Sequence, residues 1–216
     1  MLEAAVDSAE SATAAVRAGA DRLELCGDLG VGGITPPDAL LDGAGSRFGV
    51  PVAVMIRPRG GDFTYTADER RQLARDAARA AVAGAAALVT GGLTAAGLLD
   101  ANVFESVRDA APNVPIVCHR AIDRTADPLA AIETLRGLGI ARVLTSGGAR
   151  TAWEGRDTLK AMVAAAGDGL TILAGGTVRA DIAAALVAHT GVRELHADGR
   201  DASVLSGLVA VRYFSA

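Results

Sequence analysis

Short apolar runs alternate along the whole chain with longer stretches in which apolar residues recur at the spacing of a helix. Each run is long enough for a buried strand, and the stretch after it has room for one helix. The repetition therefore predicts eight consecutive βα units. The predicted strands are Glu3–Val6, Arg22–Leu25, Val52–Ile56, Ala87–Thr90, Ile116–Cys118, Arg142–Thr145, Thr171–Ala174 and Glu194–His196.

Eight such units can close into a barrel or form an open, doubly wound sheet. An open dinucleotide-binding sheet requires the motif GxGxxG directly after its first strand. Here the segment 7–10 follows that strand and contains no glycine. No Pro- or Gly-rich linker divides the chain. We therefore predict an α/β fold made of a single (β/α)8 TIM barrel, with residues 1–216 in one domain.

Cap residues predict where some of the helices begin. Asp7 with Glu10, and Thr66 with Glu69, have the spacing of capping boxes. Asp127 is the predicted N-cap of a helix whose first residue is a proline, which suits the first helical turn.

Composition excludes several classes of function. The chain is 3% aromatic, has a net charge of −4 and contains no basic stripe, so a nucleic-acid partner is not expected. The longest apolar stretch, Ala80–Val89, is about half of the ~20 residues that a membrane span needs. Acidic residues near the start do not fit a secretion signal, so we expect a cytoplasmic protein. Lys160 is the single lysine and lies in a predicted helix, which argues against Schiff-base chemistry.

Polar residues interrupt several of the otherwise apolar strands. Side chains alternate between the two faces of a strand, so Glu24 shares a face with Cys26, and Met55 shares a face with Arg57. Assigning the β-branched residues to the helix side predicts that Cys118 also faces the helices. The residues predicted to face the barrel axis are Glu24, Cys26, Met55, Arg57, His119 and His196.

Barrel enzymes build their sites at the carboxyl ends of the strands, where these side chains are expected to meet. Carboxylates and imidazoles there can exchange protons, and guanidinium groups can bind an anion. The predicted catalytic residues are Glu24, Arg57, His119 and Asp123. The residues predicted to bind substrate are Glu3, Arg59, Asp62, Arg120, Ser146, Gly147, Gly148, Gly175, Gly176 and His196.

Glycines after strands six and seven would let backbone N–H groups approach a phosphate or carboxylate. A small anionic or phosphorylated metabolite is therefore the expected ligand of an enzyme, and isomerase, lyase and hydrolase all remain open. Structural readings stand beside this one. Arg57 and Glu24 could form an ion pair that joins two strands, and the glycines could serve tight turns alone. A ligand sensor or scaffold without turnover is a further alternative.

Several of these strings, in this order, resemble the CutC family. They include Gly19–Cys26 (GADRLELC), Gly32–Pro36 (GGITP), Met55–Phe63 (MIRPRGGDF), His119–Asp123 (HRAID) and Leu144–Gly148 (LTSGG). Together they span most of the chain, and the nine-residue string MIRPRGGDF is long enough to be specific.

The resemblance implies a barrel fold, a cytosolic protein, a role in copper homeostasis and a homodimer. Copper binding in that family is associated with a cysteine on the first strand and a second one in the string ELC. Here Ala5 stands at the first position, and Cys26 is the remaining candidate ligand. Cu(I) prefers thiolate and thioether ligands, and on the inward face only Cys26 and Met55 offer them. The metal-ion hypothesis therefore depends on Cys26.

Overall fold

The computed structural model describes residues 1–212, and residues 213–216 of the predicted domain lie outside the described part. All eight predicted strands are present within the described residues, and most of their bounds agree with the prediction. The strands are β1 Leu2–Val6, β2 Arg22–Leu25, β3 Val52–Met55, β4 Ala87–Thr90, β5 Ile116–Cys118, β6 Arg142–Thr145, β7 Thr171–Ala174 and β8 Glu194–Asp198.

The strands form one closed barrel in chain order, and every neighbouring pair is parallel. β1 closes the barrel by pairing with both β2 and β8. In this register Glu3 lies opposite Arg22 on one side and His196 on the other. The predicted (β/α)8 barrel is confirmed.

Helices follow the strands and cover the outside of the barrel. The α-helices in the described part of the chain are α1 Ala9–Arg17, α2 Asp38–Leu41, α3 Ala44–Arg47, α4 Ala67–Val82, α5 Ala101–Ala110, α6 Pro128–Gly137, α7 Arg156–Ala166, α8 Ala180–Thr190 and α9 Ala202–Arg212. Two 3₁₀ turns, Leu29–Val31 and Arg120–Arg124, follow β2 and β5. Across residues 1–212, none of the helices combines the length and the apolarity that crossing a bilayer requires.

The caps agree with the sequence at two of the three predicted helix starts. Thr66 and Glu69 form the reciprocal capping box of α4, and Asp127 accepts backbone hydrogen bonds at the start of α6. The predicted box of Asp7 and Glu10 is wrong. Ser8 caps α1 instead, because its hydroxyl accepts the backbone N–H of Ser11. The observed box of Ser8 and Ser11 thus lies one residue after the predicted one.

Side-chain alternation along the strands divides the interior into two layers. Leu25, Val54 and Ile56 pack against the helices, as predicted, and Cys118 joins this outer core. Inside the barrel, a smaller apolar cluster fills the side next to β3, β4 and β5. Its buried members are Cys26, Ala53, Met55, Ala87, Val89 and Val117. The inner side next to β1, β2 and β8 carries charged groups instead.

Candidate functional site

A cavity of about 290 Å³ opens at the carboxyl ends of the strands. Its lining includes Glu24 of β2 and His196 of β8. It also includes Arg57, two residues after the end of β3, and His119, the first residue after β5. These four residues are far apart in the sequence. The structure therefore brings together, in one cavity, the carboxylate, guanidinium and imidazole groups that strand alternation assigned to the axis.

His196 lies between two carboxylates at the base of the cavity. Its Nδ1 is 2.9 Å from Oε1 of Glu3, and its Nε2 is 3.7 Å from Oε2 of Glu24. Glu3, Glu24 and His196 each offer one donor atom, and these three atoms lie within 4.8 Å of one another. The three side chains are thus a candidate cation-binding group.

Burial and charge act in opposite directions on this group. Burial alone would raise the pKa of Glu3, but the hydrogen bond and charge of His196, with the charge of Arg22, lower that pKa to about 2. The pKa of Glu24 is raised, chiefly by burial. Burial would lower the pKa of His196, but the charge of Glu24 and the hydrogen bond to Glu3 outweigh it and raise that pKa.

Two sulfur-containing side chains stand beside this group. Sγ of Cys26 is 3.5 Å from Oε2 of Glu24. Cys26 and Met55 both border Gly33, where an added Cβ would lie 3.1 Å from Sγ of Cys26 and 3.5 Å from Cε of Met55. Burial and the neighbouring Glu24 carboxylate raise the pKa of the Cys26 thiol well above its usual value, so without a bound cation it is protonated.

A chain of ion pairs runs from Glu3 to the floor of the barrel, the end where the strands begin. Arg22 donates to Oε2 of Glu3 at 2.5 Å and to Glu194 at 2.7 Å. Arg142 of β6 donates two further hydrogen bonds to the same Glu194. Arg22, Glu3 and Glu194 are all buried. The ionised state of Glu3 therefore depends on Arg22 of β2 and His196 of β8.

Arg57 is held by backbone carbonyls and has no carboxylate partner. Its guanidinium donates to the carbonyl oxygens of Val31 and Gly33 at 3.2 and 3.0 Å and to that of Gly61 at 2.9 Å. No carboxylate of residues 1–212 lies within ion-pair distance of it. The alternative of an ion pair with Glu24 is therefore wrong. Arg57 fastens the loops after β2 and β3 over the cavity.

His119 is buried and neutral. Its Nδ1 accepts the backbone N–H of Ala121, so the ring proton is assigned to Nε2. Burial, together with the nearby charge of Arg57, lowers the pKa of His119 to about 3. Nε2 has no hydrogen-bond partner among the described residues. His119 therefore lines the cavity as an unpaired N–H donor.

Asp123 fills the amide cradle that the glycines after β6 were predicted to offer to an anion. Its carboxylate accepts the backbone N–H groups of Ser146 and Gly148, the hydroxyls of Thr145 and Ser146, and Nε of Arg120. The N–H of Gly147 is also used, because it donates to Thr145. The side chain of Asp123 thus occupies the position where a ligand oxyanion would have bound.

The remaining predicted residues are scattered around the mouth. Arg59 is tied to Asp62 and Glu69, at 3.0 and 2.5 Å. It lines neither the inner cavity, which contains Glu24 and His196, nor a second, outer cavity that adjoins it. Asp62 lines only this outer cavity. Arg120 lines both, although its guanidinium is engaged by Asp123 and by Ser146.

The two glycines after β7 have different positions. Gly176 lines the inner cavity. Gly175 serves close packing, because an added Cβ would lie 2.5 Å from Cδ1 of Leu144.

The outer cavity adjoins the inner one and is larger, about 1100 Å³. The two share Gly32, Arg57, Phe63 and Arg120 in their linings. Arg124 and Arg150 add two further cationic side chains to the outer cavity.

Sequence reasoning missed Arg22, Glu194 and Arg142, which form the floor, and Arg200 at the rim of the inner cavity. A signal for the first two was present. Arg22 precedes Glu24 by two positions and Glu194 precedes His196 by two, so each pair shares an inward face.

Comparison with known proteins gives the family. The CutC family profile matches residues 1–200. A CutC family protein of Pasteurella multocida is 41% identical over 199 residues, which cover 92% of this chain and 82% of that protein. The human relative, named copper homeostasis protein cutC homolog, is 40% identical over 93% of this chain and 73% of its own length.

Solved structures agree with the sequence comparison. A CutC protein of Streptococcus agalactiae, described as a candidate copper homeostasis protein, superposes with a TM-score of 0.84 at 33% identity. The match covers 91% of this chain and 97% of that one. A thiamine phosphate pyrophosphorylase of Pyrococcus furiosus, at 15% identity and a TM-score of 0.67, shares the fold alone. With the profile and the relatives in agreement, this chain belongs to the CutC family.

Proposed function

We propose that this protein takes part in copper homeostasis, the role that the names of the human and S. agalactiae proteins give to them, and that it binds a copper ion at the base of the inner cavity. The observation that carries the proposal is that Oε2 of Glu24 lies 3.7 Å from Nε2 of His196 and 3.5 Å from Sγ of Cys26. Both cysteines are free thiols, which supports the cytoplasm as the working compartment.

The donor set decides whether copper suits this group. Both carboxylate oxygens of Glu3 are engaged, one by Arg22 and one by His196. Glu3 is therefore better placed to orient the imidazole than to hold a metal, as carboxylates behind metal-bound histidines do. The thiol of Cys26, the carboxylate of Glu24 and Nε2 of His196 remain as donors.

These donors fit copper better than a hard cation. Thiolate and thioether groups select Cu(I), and imidazole suits copper in both oxidation states. The Met55 thioether on the same side of the cavity adds a second sulfur-containing side chain. A bound cation would also deprotonate the thiol of Cys26, which burial and the Glu24 carboxylate otherwise keep protonated. Because Ala5 stands where the family has its first-strand cysteine, this is a mixed-donor site instead of a two-thiolate site.

Copper titration with matched cysteine variants tests the proposal. Cys26→Ser removes the thiol beside Glu24, and Cys118→Ser removes an equally buried thiol that faces the helices. Under anaerobic competition with a chromogenic Cu(I) chelator, we expect one copper per chain for the wild type and for Cys118→Ser. Cys26→Ser should bind at least about tenfold more weakly, a loss of about 1.4 kcal/mol. Equal affinity of the wild type and Cys26→Ser would refute the proposal.

Turnover of a small anionic metabolite remains an alternative hypothesis. No contact within the described residues selects among isomerase, lyase and hydrolase chemistry, so we propose no reaction.

A further inference from the structure

Arg57 is a buried cation without a counter-ion. The residue is 4% exposed, and its partners are the neutral carbonyls of Val31, Gly33 and Gly61. Buried charges in proteins are normally paired with an opposite charge, because carbonyl dipoles replace only part of the lost hydration. The positive charge of Arg57 therefore remains uncompensated within the described residues.

A second unsatisfied donor lies next to this charge. His119 is 3% exposed, and its Nε2–H has no acceptor. The side chains of Arg57 and His119 both pack on Phe63, each 4.9 Å from the centre of its ring. A buried N–H without an acceptor is destabilising, because it has lost its hydrogen bond to water. One anionic oxygen reaching both groups would supply the acceptor and the counter-charge together.

The space beside these groups is large enough for an organic molecule. Arg57 and Phe63 line both cavities, so they stand where the inner cavity meets the outer one. The acids of the outer cavity are already engaged, Asp62 by Arg59 and Asp123 by Arg120. Arg124, which has no ion pair within residues 1–212, adds a further positive charge to its lining. The outer cavity is thus suited to the remainder of a negatively charged ligand.

We propose that a small organic anion, bearing a carboxylate or a phosphate ester, binds where the two cavities meet, with its anionic group received by Arg57 and His119 and its remaining atoms in the outer cavity. The site differs from the copper site proposed at Cys26, Glu24 and His196, and it does not depend on copper. His119 serves it as a neutral donor, since Nδ1 is already occupied by Ala121.

Binding of defined anions to copper-free protein tests this site. Glycerol 3-phosphate, citrate and inorganic phosphate are titrated by calorimetry into chelator-treated wild type and three variants. Arg57→Gln removes the charge. His119→Phe removes the donor and keeps a ring against Phe63. Arg59→Ala is the matched control, because Arg59 lies two residues from Arg57 but lines neither cavity.

We expect one of the two organic anions to bind with a Kd of about 1 mM or tighter. His119→Phe should weaken that binding at least about tenfold, as loss of a hydrogen bond to a charged group does. Arg57→Gln should abolish it, and Arg59→Ala should stay within about twofold of the wild type. Tighter binding of inorganic phosphate than of either organic anion would refute a role for the outer cavity.

A structural role of Arg57 is separated from ligand binding by a second measurement. Arg57→Gln also loosens two loops, so its loss of binding alone would be ambiguous. The Nε2 resonance of His119 in the wild type should move when the anion is added, and in Arg59→Ala it should move equally. Absence of binding to the wild type, or a bound anion that leaves this resonance unmoved, would overturn the proposal.

Discussion

Glu3 and His196 occupy paired positions on β1 and β8, and Oε1 of Glu3 lies 2.9 Å from Nδ1 of His196. This contact turns the other imidazole nitrogen towards Glu24 and the cavity. Glu3 can serve as the acceptor because Arg22, which donates to its second oxygen, helps to keep the carboxylate ionised. One strand pairing thus joins the floor of the barrel to His196, one of the proposed copper donors.

Replacing the buried carboxylate by an amide, Glu3→Gln, should destabilise the fold. It leaves Arg22 with one carboxylate partner and His196 facing a group that no longer neutralises it. Breaking a buried pair by removing one partner costs about 3–5 kcal/mol. The control is Glu133→Gln, which breaks the exposed pair with Arg136 and should cost less than about 1 kcal/mol. Urea unfolding compares the two, and equal losses would contradict the importance of the buried chain.

Restoring a thiol on β1, Ala5→Cys, should strengthen copper binding. Ala5 lines the inner cavity and lies opposite Glu24 in the pairing of β1 with β2. Glu24 is itself two residues before Cys26. A second thiolate would convert the mixed donor set into one that Cu(I) prefers. We expect Cu(I) affinity to rise by at least about tenfold. The matched control is Ala4→Cys, whose side chain faces the helices. An unchanged affinity in Ala5→Cys would show that copper does not bind beside β1.

The neutral state of His119 should make stability depend on pH. Folding lowers its pKa from 6.5 to about 3, so between these values the unfolded chain binds the extra proton. The free energy of unfolding should therefore rise with pH from 3 to 6.5, by at most about 1.4 kcal/mol per pH unit from this one group, and this contribution should be constant above 6.5.

His119→Phe should flatten that slope relative to the wild type, because the variant lacks the imidazole that gains a proton on unfolding. Urea unfolding at several pH values gives the slopes. Identical slopes for the wild type and His119→Phe would mean that the imidazole of His119 is not held in a buried, neutral state in solution.

Asp123→Ala should open the loop after β6. The substitution removes the acceptor of the backbone N–H groups of Ser146 and Gly148 and of the Arg120 guanidinium. Hydrogen bonds to charged groups are worth about 1.5–3 kcal/mol each, so a loss of about 3 kcal/mol or more is expected. Asp127→Ala, which removes only the cap of α6, should cost about 1 kcal/mol.

Added phosphate should recover part of the stability lost in Asp123→Ala and none in Asp127→Ala, because the emptied cradle is then free to bind an anion. Thermal unfolding with and without phosphate checks this. Equal recovery in both variants would indicate a general salt effect.

Most of the barrel could be predicted from the sequence because buried parallel strands read as apolar runs and barrels repeat them regularly. Strand alternation also placed Glu24, Arg57, His119 and His196 correctly on the inward face. These predictions need only the two-residue period of a strand, which holds wherever the strand begins.

The partners of the charged residues could not be predicted in the same way. Arg57 and Arg59 stand two positions apart in one loop, yet one reaches into the cavities and the other bonds to Glu69 of α4. Their directions depend on how the loop turns at its glycines. Asp123 fills the cradle after β6 because a 3₁₀ turn carries it there, and no periodic pattern marks that turn.

The floor of the barrel has a consequence for how ligands travel. A row of three ion pairs crosses the end of the barrel opposite the cavities. It joins Arg142 of β6 to Glu194 of β8, Glu194 to Arg22 of β2, and Arg22 to Glu3 of β1. Opening a passage there would separate several buried charges at once. These ion pairs close that end of the barrel, so a ligand of the inner cavity has to enter and leave at the carboxyl ends of the strands, past the loops that Arg57 joins.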